Sequence, residues 1–184
     1  MDLPAITAAL PALGWAVHSS VLGRRLARAR RDPLTGLHTR AGWTTRAERI
    51  LATCPTALVV LVDLDKFKTI NDTWGHATGD AVLAATAARL SAWCGRAGIP
   101  ARLGGDEFAV VTTRALDVSA LTTMLQQPVP VAGTLVPVGA SVGFCHRARL
   151  PLPSLTDALS AADTAMYRAK GHGRRNHHPA ERNR

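Results

Sequence analysis

The chain has 184 residues, of which 47% are hydrophobic, so it can form the core of one domain and is not a disordered protein. Its formal net charge is +9, but the positive charge is concentrated at the two ends of the chain. Between Pro33 and Tyr167, eleven basic residues are balanced by ten acidic ones, which excludes the overall basic character of a nucleic-acid-binding domain. The three cysteines have no paired spacing, which argues against a disulfide framework or a zinc site.

Residues 3–22 carry no charged side chain when His18 is neutral, and they are followed directly by GRRLARARR. Twenty uncharged residues can cross a bilayer, and the arginines that follow would keep the rest of the chain at the cytoplasmic side. Two prolines and three hydroxyl residues weaken this interpretation, and an interfacial amphipathic helix is the alternative. We expect residues 1–31 to form an N-terminal helix that either anchors the protein at the inner face of the cell membrane or acts as a dimerising linker. Asp32-Pro33 then ends the helix and sets the domain boundary.

Hydrophobic periodicity predicts the elements of the body. In chain order it predicts a helix over 39–52, a strand buried on both faces over 57–62, a helix over 79–93, two strands around a Gly-Gly turn over 101–112, a helix over 116–126, strands over 129–131 and 135–145, and a helix over 155–170. Gly171-His172-Gly173 is expected to end the last helix. This order predicts an α+β fold with helices packed on one sheet, followed by a polar tail over 177–184.

Two acidic pairs occupy the ends of predicted strands. Asp63 and Asp65 follow the buried strand, and Asp106 and Glu107 follow the Gly-Gly turn. If the two strands are neighbours, the carboxylates converge, and a divalent cation such as Mg²⁺ would relieve their repulsion. The alternative for each pair is a solvated strand end.

The polar and glycine residues around these pairs also suit a nucleotide. Gly104 and Gly105 permit a tight turn and the close approach of a flat ligand. Asn71 offers a donor and an acceptor and ionised Asp80 offers acceptors, a combination that suits guanine. Helix capping by Asn71 and Asp80 is the alternative.

Four sequence blocks together carry a specific resemblance. They are DPLTGL at 32–37, DLDKFKTINDTWGHATGD at 63–80, RLGGDEF at 102–108 and ADTAMYRAKGHGRRN at 162–176. In order and spacing they resemble the GGDEF family of diguanylate cyclases, over residues 32–176.

The resemblance implies both a fold and a reaction. The implied fold is a nucleotidyl-cyclase palm with a ferredoxin-like core, in which helices flank a central, mainly antiparallel sheet. The implied reaction converts two GTP into cyclic di-GMP and two pyrophosphates in a homodimer, with two Mg²⁺ or Mn²⁺ ions in each half-site. No nucleic-acid partner is implied, and binding through the arginines at 24–31 is a weak alternative.

The resemblance also assigns roles to residues. Asp63, Asp106 and the Leu64 carbonyl match metal ligands, and Glu107 matches the acid that assists metal binding and is a candidate base for the ribose 3′-hydroxyl. Asn71 and Asp80 match the pair that reads guanine, and Gly104 and Gly105 leave space for the nucleotide. The triphosphate is expected to be held by Lys68, Lys170, Arg174 and the backbone around Lys66 and Phe67.

One departure from the family pattern bears on regulation. Many members carry an inhibitory product site with the pattern RxxD, and here Gly95 and Gly98 stand at its arginine and aspartate positions. We therefore expect no product inhibition through that site. A catalytically silent module that binds GTP or a partner is the alternative function, although the acidic motif that such modules usually lose is intact.

Overall fold

A computed structural model of the chain describes residues 30–114 and 116–175, with side chains as far as Lys170. The predicted polar tail and all but the last two residues of the predicted N-terminal helix lie outside the described residues. Within the described part of the chain, no helix is both long enough and apolar enough to cross a membrane.

The described residues form one main sheet with helices on both faces. In chain order the elements are β1 (His38–Thr39), α1 (Arg40–Thr53), β2 (Leu58–Asp65), α2 (Phe67–Trp74), α3 (His76–Cys94), β3 (Gly98–Gly104), β4 (Glu107–Thr112), α4 (Val118–Leu125), β5 (Val129–Val131), β6 (Thr134–Val136), β7 (Gly139–His146) and α5 (Leu155–Arg175). The main sheet has the strand order β1-β3-β4-β2-β7 and is antiparallel except for the pairing of β1 with β3. The predicted α+β fold with a mainly antiparallel sheet is confirmed.

Alternate residues of β2 face two separate apolar layers, as expected for a strand that is buried on both faces. Val60 and Val62 pack in the layer beneath α2, α3 and α4. Val59 packs in the opposite layer, which α1 and α5 cover with Trp43 and Leu155 among others. Because helices cover both faces of β2, polar groups can lie together only near its end at Asp65.

Three features differ from the sequence prediction. Helix α5 continues to Arg175, so the prediction that Gly171-His172-Gly173 ends it is wrong; glycine weakens a helix by about 1 kcal/mol relative to alanine without forcing it to stop. The predicted strand over 135–145 is two strands. β6 forms a separate hairpin with β5, whereas β7 lies at the edge of the main sheet. Helix α2 was not predicted, because its eight residues are too few for a periodic pattern to stand out.

His38 of β1 is a buried histidine. Its side chain is 9% exposed, and its Nδ1 atom has no hydrogen-bond partner among the described residues. Burial lowers the pKa of His38, and the positive charges of Arg31 and Arg46 lower it further. The folded state therefore resists protonation of this ring, whereas the unfolded chain takes up a proton near pH ~6.5.

Acidification should consequently destabilise the fold. Because the pKa of His38 is depressed, its contribution to the free energy of unfolding is present above about pH 6.5 and is lost as the pH falls below that value. Urea unfolding at about pH 8 and about pH 5.5 should show a loss of stability that is smaller in His38→Gln than in the wild type. An equal loss in the two proteins would contradict this assignment.

Candidate active site

The acidic residues of β2 and β4 lie side by side because the two strands pair antiparallel without a break. The ladder ends with Asp63 opposite Glu107. Beyond it, the Leu64 N–H donates to the Asp106 carbonyl at 3.3 Å. The two strands are thus the neighbours that the sequence analysis required for the carboxylates to converge.

Two basic side chains lie against these carboxylates. The Nζ of Lys170 on α5 donates to Asp63 Oδ2 at 2.5 Å, and the two side chains are 38% and 23% exposed. Arg40, the first residue of α1, lies 3.7 Å from Glu107 Oε2. Both of these side chains are 57% exposed, so solvent screens the pair and it contributes little stability. The contact with Lys170 is the closer and the less exposed of the two.

A cleft of about 280 Å³ opens beside these residues, between α1, α5 and the adjoining parts of β2 and β4. Its charged lining consists of Arg40, Asp63, Glu107 and Asp163, and most of its remaining lining is apolar. Asp63 and Glu107 are therefore accessible to a ligand that enters along α5.

The turn between β3 and β4 carries Gly104, Gly105 and Asp106. Gly105 has a φ of +51°, a left-handed conformation that favours glycine. The Arg102 Nε donates to the Gly105 carbonyl at 2.9 Å, and an Arg102 guanidinium nitrogen lies 3.3 Å from both carboxylate oxygens of Asp32. Arg102 thus joins the DPLTGL segment to the acidic turn.

Asp32 is held in a compact turn of its own. The N–H and the hydroxyl of Thr35 donate to Asp32 Oδ1 at 2.8 and 2.6 Å. Burial raises the pKa of Asp32, but the bonds from Thr35 and the charge of Arg102 outweigh burial and hold the pKa below its usual value. Neither Asp32 nor Arg102 was assigned a role from the sequence, although both lie in motif blocks, Asp32 in DPLTGL and Arg102 in RLGGDEF.

Asn71 and Asp80 lie on the two helices that follow β2. Asn71 is partly buried on α2, and Asp80 is exposed on α3. A Cβ at Gly79 would overlap Asn71 Oδ1, so the glycine lets the Asn71 side chain lie against α3 at the residue that precedes Asp80. The N-cap positions of α2 and α3 are Lys66 and Gly75, so neither Asn71 nor Asp80 has the capping role that the sequence left open.

The junction of β2 with α2 gathers groups that suit an anion. Lys66 has a φ of +54°, and α2 begins at Phe67 without a side-chain cap. The N–H groups in the first turn of a helix lack intrahelical partners and favour negative charge. Lys68 lies exposed in this turn. Arg174 lies one turn beyond Lys170 on α5, and its side chain is outside the described part.

The donor set fits a hard cation such as Mg²⁺ or Mn²⁺. Asp63, Asp106 and Glu107 offer carboxylate oxygens, and Leu64, whose side chain carries no ligand atom, could offer only its backbone carbonyl. Among the described residues, no group of three His, Cys, Asp or Glu side chains is arranged to hold a metal by itself. A cation here would complete its coordination with substrate oxygens and water, as Mg²⁺ commonly does.

Comparison with known proteins identifies the class. Residues 29–176 match the family described as "Diguanylate cyclase, GGDEF domain". The chain is 63% identical over 182 residues to an uncharacterized 19.3 kDa protein from Streptomyces ambofaciens, covering 98% of this chain and all of that protein. It is 34% identical over 158 residues to the probable diguanylate cyclase DgcC of Escherichia coli, covering 78% of this chain and 41% of DgcC.

A solved structure shows the same architecture. The coiled coil and GGDEF domain of DgcB from Caulobacter crescentus, in complex with c-di-GMP, superimposes with a TM-score of 0.73 at 28% identity, covering 94% of this chain and 96% of that one. The fold and the family match together show that this chain belongs to the GGDEF domain family. Relatives named as diguanylate cyclases associate it with cyclic di-GMP signalling.

Gly143 of β7 permits the approach of α5 that brings Lys170 to Asp63. A Cβ at position 143 would overlap the Ala162 carbonyl oxygen and lie 2.6 Å from the Met166 backbone nitrogen. Backbone atoms cannot move aside as a flexible side chain can, so the glycine sets the distance between α5 and the sheet.

Gly143→Ala should therefore push α5 away from β7. We expect the free energy of unfolding, measured by urea titration, to fall by about 1–3 kcal/mol, the usual cost of overpacking. Ala161→Ser, at an exposed position of α5, is the control and should change stability by less than about 0.5 kcal/mol. If the two variants were equally stable, Gly143 would not set the position of the helix.

Proposed function

We propose that the chain is a diguanylate cyclase, which condenses two GTP molecules into cyclic di-GMP and two pyrophosphates as a homodimer. Membership of the GGDEF family supports this activity. The observation that carries the proposal is the pairing of β2 with β4, which brings Asp63 beside the acidic residues Asp106 and Glu107 of an intact RLGGDEF motif.

In this proposal, Asp63, Asp106, Glu107 and the Leu64 carbonyl hold two Mg²⁺ or Mn²⁺ ions in each half-site. When bound, such ions offset the charge of the triphosphate and favour ionisation of the attacking hydroxyl. Glu107, with a side chain 57% exposed, is accessible to accept the proton of the ribose 3′-hydroxyl. Lys170 pairs with Asp63, and we expect its ammonium group also to donate to a phosphate oxygen of GTP.

The nucleotide is held by groups on three sides. Asn71 and Asp80 bind the guanine edge, whose N1–H and amino group are donors that suit these acceptors. Gly104 and Gly105 leave room for the nucleotide at the turn. The phosphate chain is held by the side chains of Lys68, Lys170 and Arg174. The backbone N–H groups around Lys66 and Phe67, at the start of α2, also bind it.

The reaction requires two domains that face each other. Each 3′-oxygen attacks the α-phosphorus of the GTP in the partner, a new phosphodiester bond forms, and pyrophosphate leaves with the electrons of the broken bond. One such step in each direction closes the cyclic product. Positioning two bound nucleotides can supply a large part of the acceleration, so dimerisation should control the rate.

Residues 32–176 form the catalytic domain, which lies in the cytoplasm. Residues 1–31 form either a dimerising linker or a segment that anchors this domain at the inner face of the cell membrane. Gly95 and Gly98 lack the side chains of the RxxD product site, so we expect no product inhibition through that site.

Product identification tests the proposal directly. The purified dimer is incubated with GTP, ATP or both, with Mg²⁺ or Mn²⁺, and products are identified by mass spectrometry. We expect cyclic di-GMP from GTP, and Asp106→Ala should reduce its formation about 100-fold or more, as for loss of a key electrostatic group. Asp157→Ala, in the first turn of α5 and away from the acidic turn, is the control and should retain activity.

The remaining outcomes separate the alternatives. Absence of turnover by a verified, metal-replete dimer would contradict the cyclase assignment. GTP binding without turnover would favour the catalytically silent binding module.

Gly79 should be needed for guanine recognition. Gly79→Ala would displace the Asn71 side chain, so we expect KM for GTP to rise about tenfold, the cost of losing roughly one good hydrogen bond. Thr78→Ala on the same helix removes a bond from the Thr78 hydroxyl to the Trp74 carbonyl and serves as the control. Steady-state kinetics that gave equal KM values for the two variants would argue against this role of Gly79.

A further inference from the structure

Asp65 is a second carboxylate at the end of β2, two residues after Asp63. Its position by sequence alone suggests a second metal ligand on the same face of the strand. In the structure, the Ser141 hydroxyl on β7 donates to Asp65 Oδ1 at 2.7 Å. The carboxylate is therefore engaged with the neighbouring strand.

The other carboxylate oxygen also lies toward β7. Asp65 is opposite Gly139 in the β2–β7 ladder. A Cβ at position 139 would lie 2.9 Å from Asp65 Cβ and 3.1 Å from Asp65 Oδ2, so the side chain lies close over the glycine. Since β7 and β4 flank β2 on opposite sides, Asp65 points away from the strand that carries Glu107.

The bond from Ser141 fixes the chain at the point where it changes direction. The next residue, Lys66, has a φ of +54°, a conformation that is unfavourable for a non-glycine residue and persists where its surroundings impose it. Helix α2 begins immediately afterwards at Phe67. The orientation of the first N–H groups of α2 thus depends on how firmly Asp65 is held.

We propose that Asp65 is a positioning residue rather than a metal ligand: its bond with Ser141 holds the β2–α2 junction so that the start of α2 presents its N–H groups to the triphosphate. This inference rests on the proposed function, since it assumes that GTP binds at this junction. The two aspartates of the DLD sequence then have separate roles: Asp63 binds the cation, and Asp65 positions the N–H groups that bind the phosphates.

Binding of 3′-deoxy-GTP provides the test, because this analogue lacks the attacking hydroxyl and cannot be cyclised. Its Kd is measured by calorimetry for the full chain at saturating Mg²⁺. Asp65→Ala and Ser141→Ala should each raise Kd about 5- to 10-fold, as expected for loss of one hydrogen bond, and the double variant should be little worse than either single one.

Conservative variants separate positioning from metal binding. Asp65→Asn keeps an oxygen that can accept the Ser141 hydroxyl and removes the charge, and Ser141→Thr keeps the hydroxyl. Both should stay within about 3-fold of the wild-type Kd. The Mg²⁺ concentration for half-maximal turnover should be the same in Asp65→Asn as in the wild type. Thermal unfolding shows whether each variant is folded. If Asp65→Ala does not fold, the comparison of Ser141→Ala with Ser141→Thr provides the test.

Three results would overturn the inference. If Asp65→Asn binds as weakly as Asp65→Ala and also needs more Mg²⁺, Asp65 is a metal ligand. If wild type and Asp65→Ala bind the analogue equally, the bond to Ser141 has no positioning effect. If the wild type does not bind 3′-deoxy-GTP at all, both the proposed function and this role of Asp65 are wrong. That result differs from the second one, in which the wild type binds the analogue and only the role of Asp65 is wrong.

Discussion

The pairing register of β2 with β4 determines which side chains meet at the acidic end of the sheet. Asp63 is opposite Glu107, and the backbone of Leu64 bonds to that of Asp106. A slip of one residue would turn Asp63 to the face covered by α2 and α3 and bury its charge among apolar side chains. The apolar alternation along β2, which fills two separate layers, makes such a slip costly. Core packing and site geometry are therefore set by the same ladder.

Glycine at two helix contacts brings the remaining groups into range. Gly143 lets α5 lie directly on β7, so that Lys170 reaches Asp63. Gly79 lets α3 approach α2 and receive the Asn71 side chain. In both places a methyl group would collide with atoms of the neighbouring helix. The positions of Lys170 and Asn71 in the candidate site therefore depend on the close packing of α5 on β7 and of α3 on α2.

Much of this arrangement could be predicted from the sequence. The apolar run of β2 and the Gly-Gly turn indicated strands with acidic ends, and the four motif blocks indicated the family. Whether those strands are neighbours was left open by the sequence, and the β2–β4 pairing answers it. The bond between Asp65 and Ser141 could not be predicted, because it joins residues 76 positions apart through the register of β7. Nor could the left-handed backbone of Lys66, since nothing in the residue type favours it. Helix α2 escaped prediction because tertiary packing rather than periodicity stabilises so short a helix.

Arg102 connects the acidic turn between β3 and β4 with the DPLTGL segment. Its guanidinium bonds to the Gly105 carbonyl and pairs with Asp32. Only 16–17% of each side chain in that pair is exposed, and the bonds from Thr35 and the charge of Arg102 hold the pKa of Asp32 below its usual value, which favours its charged form. A displacement of the DPLTGL segment would therefore act on the loop between β3 and β4 directly, through one guanidinium.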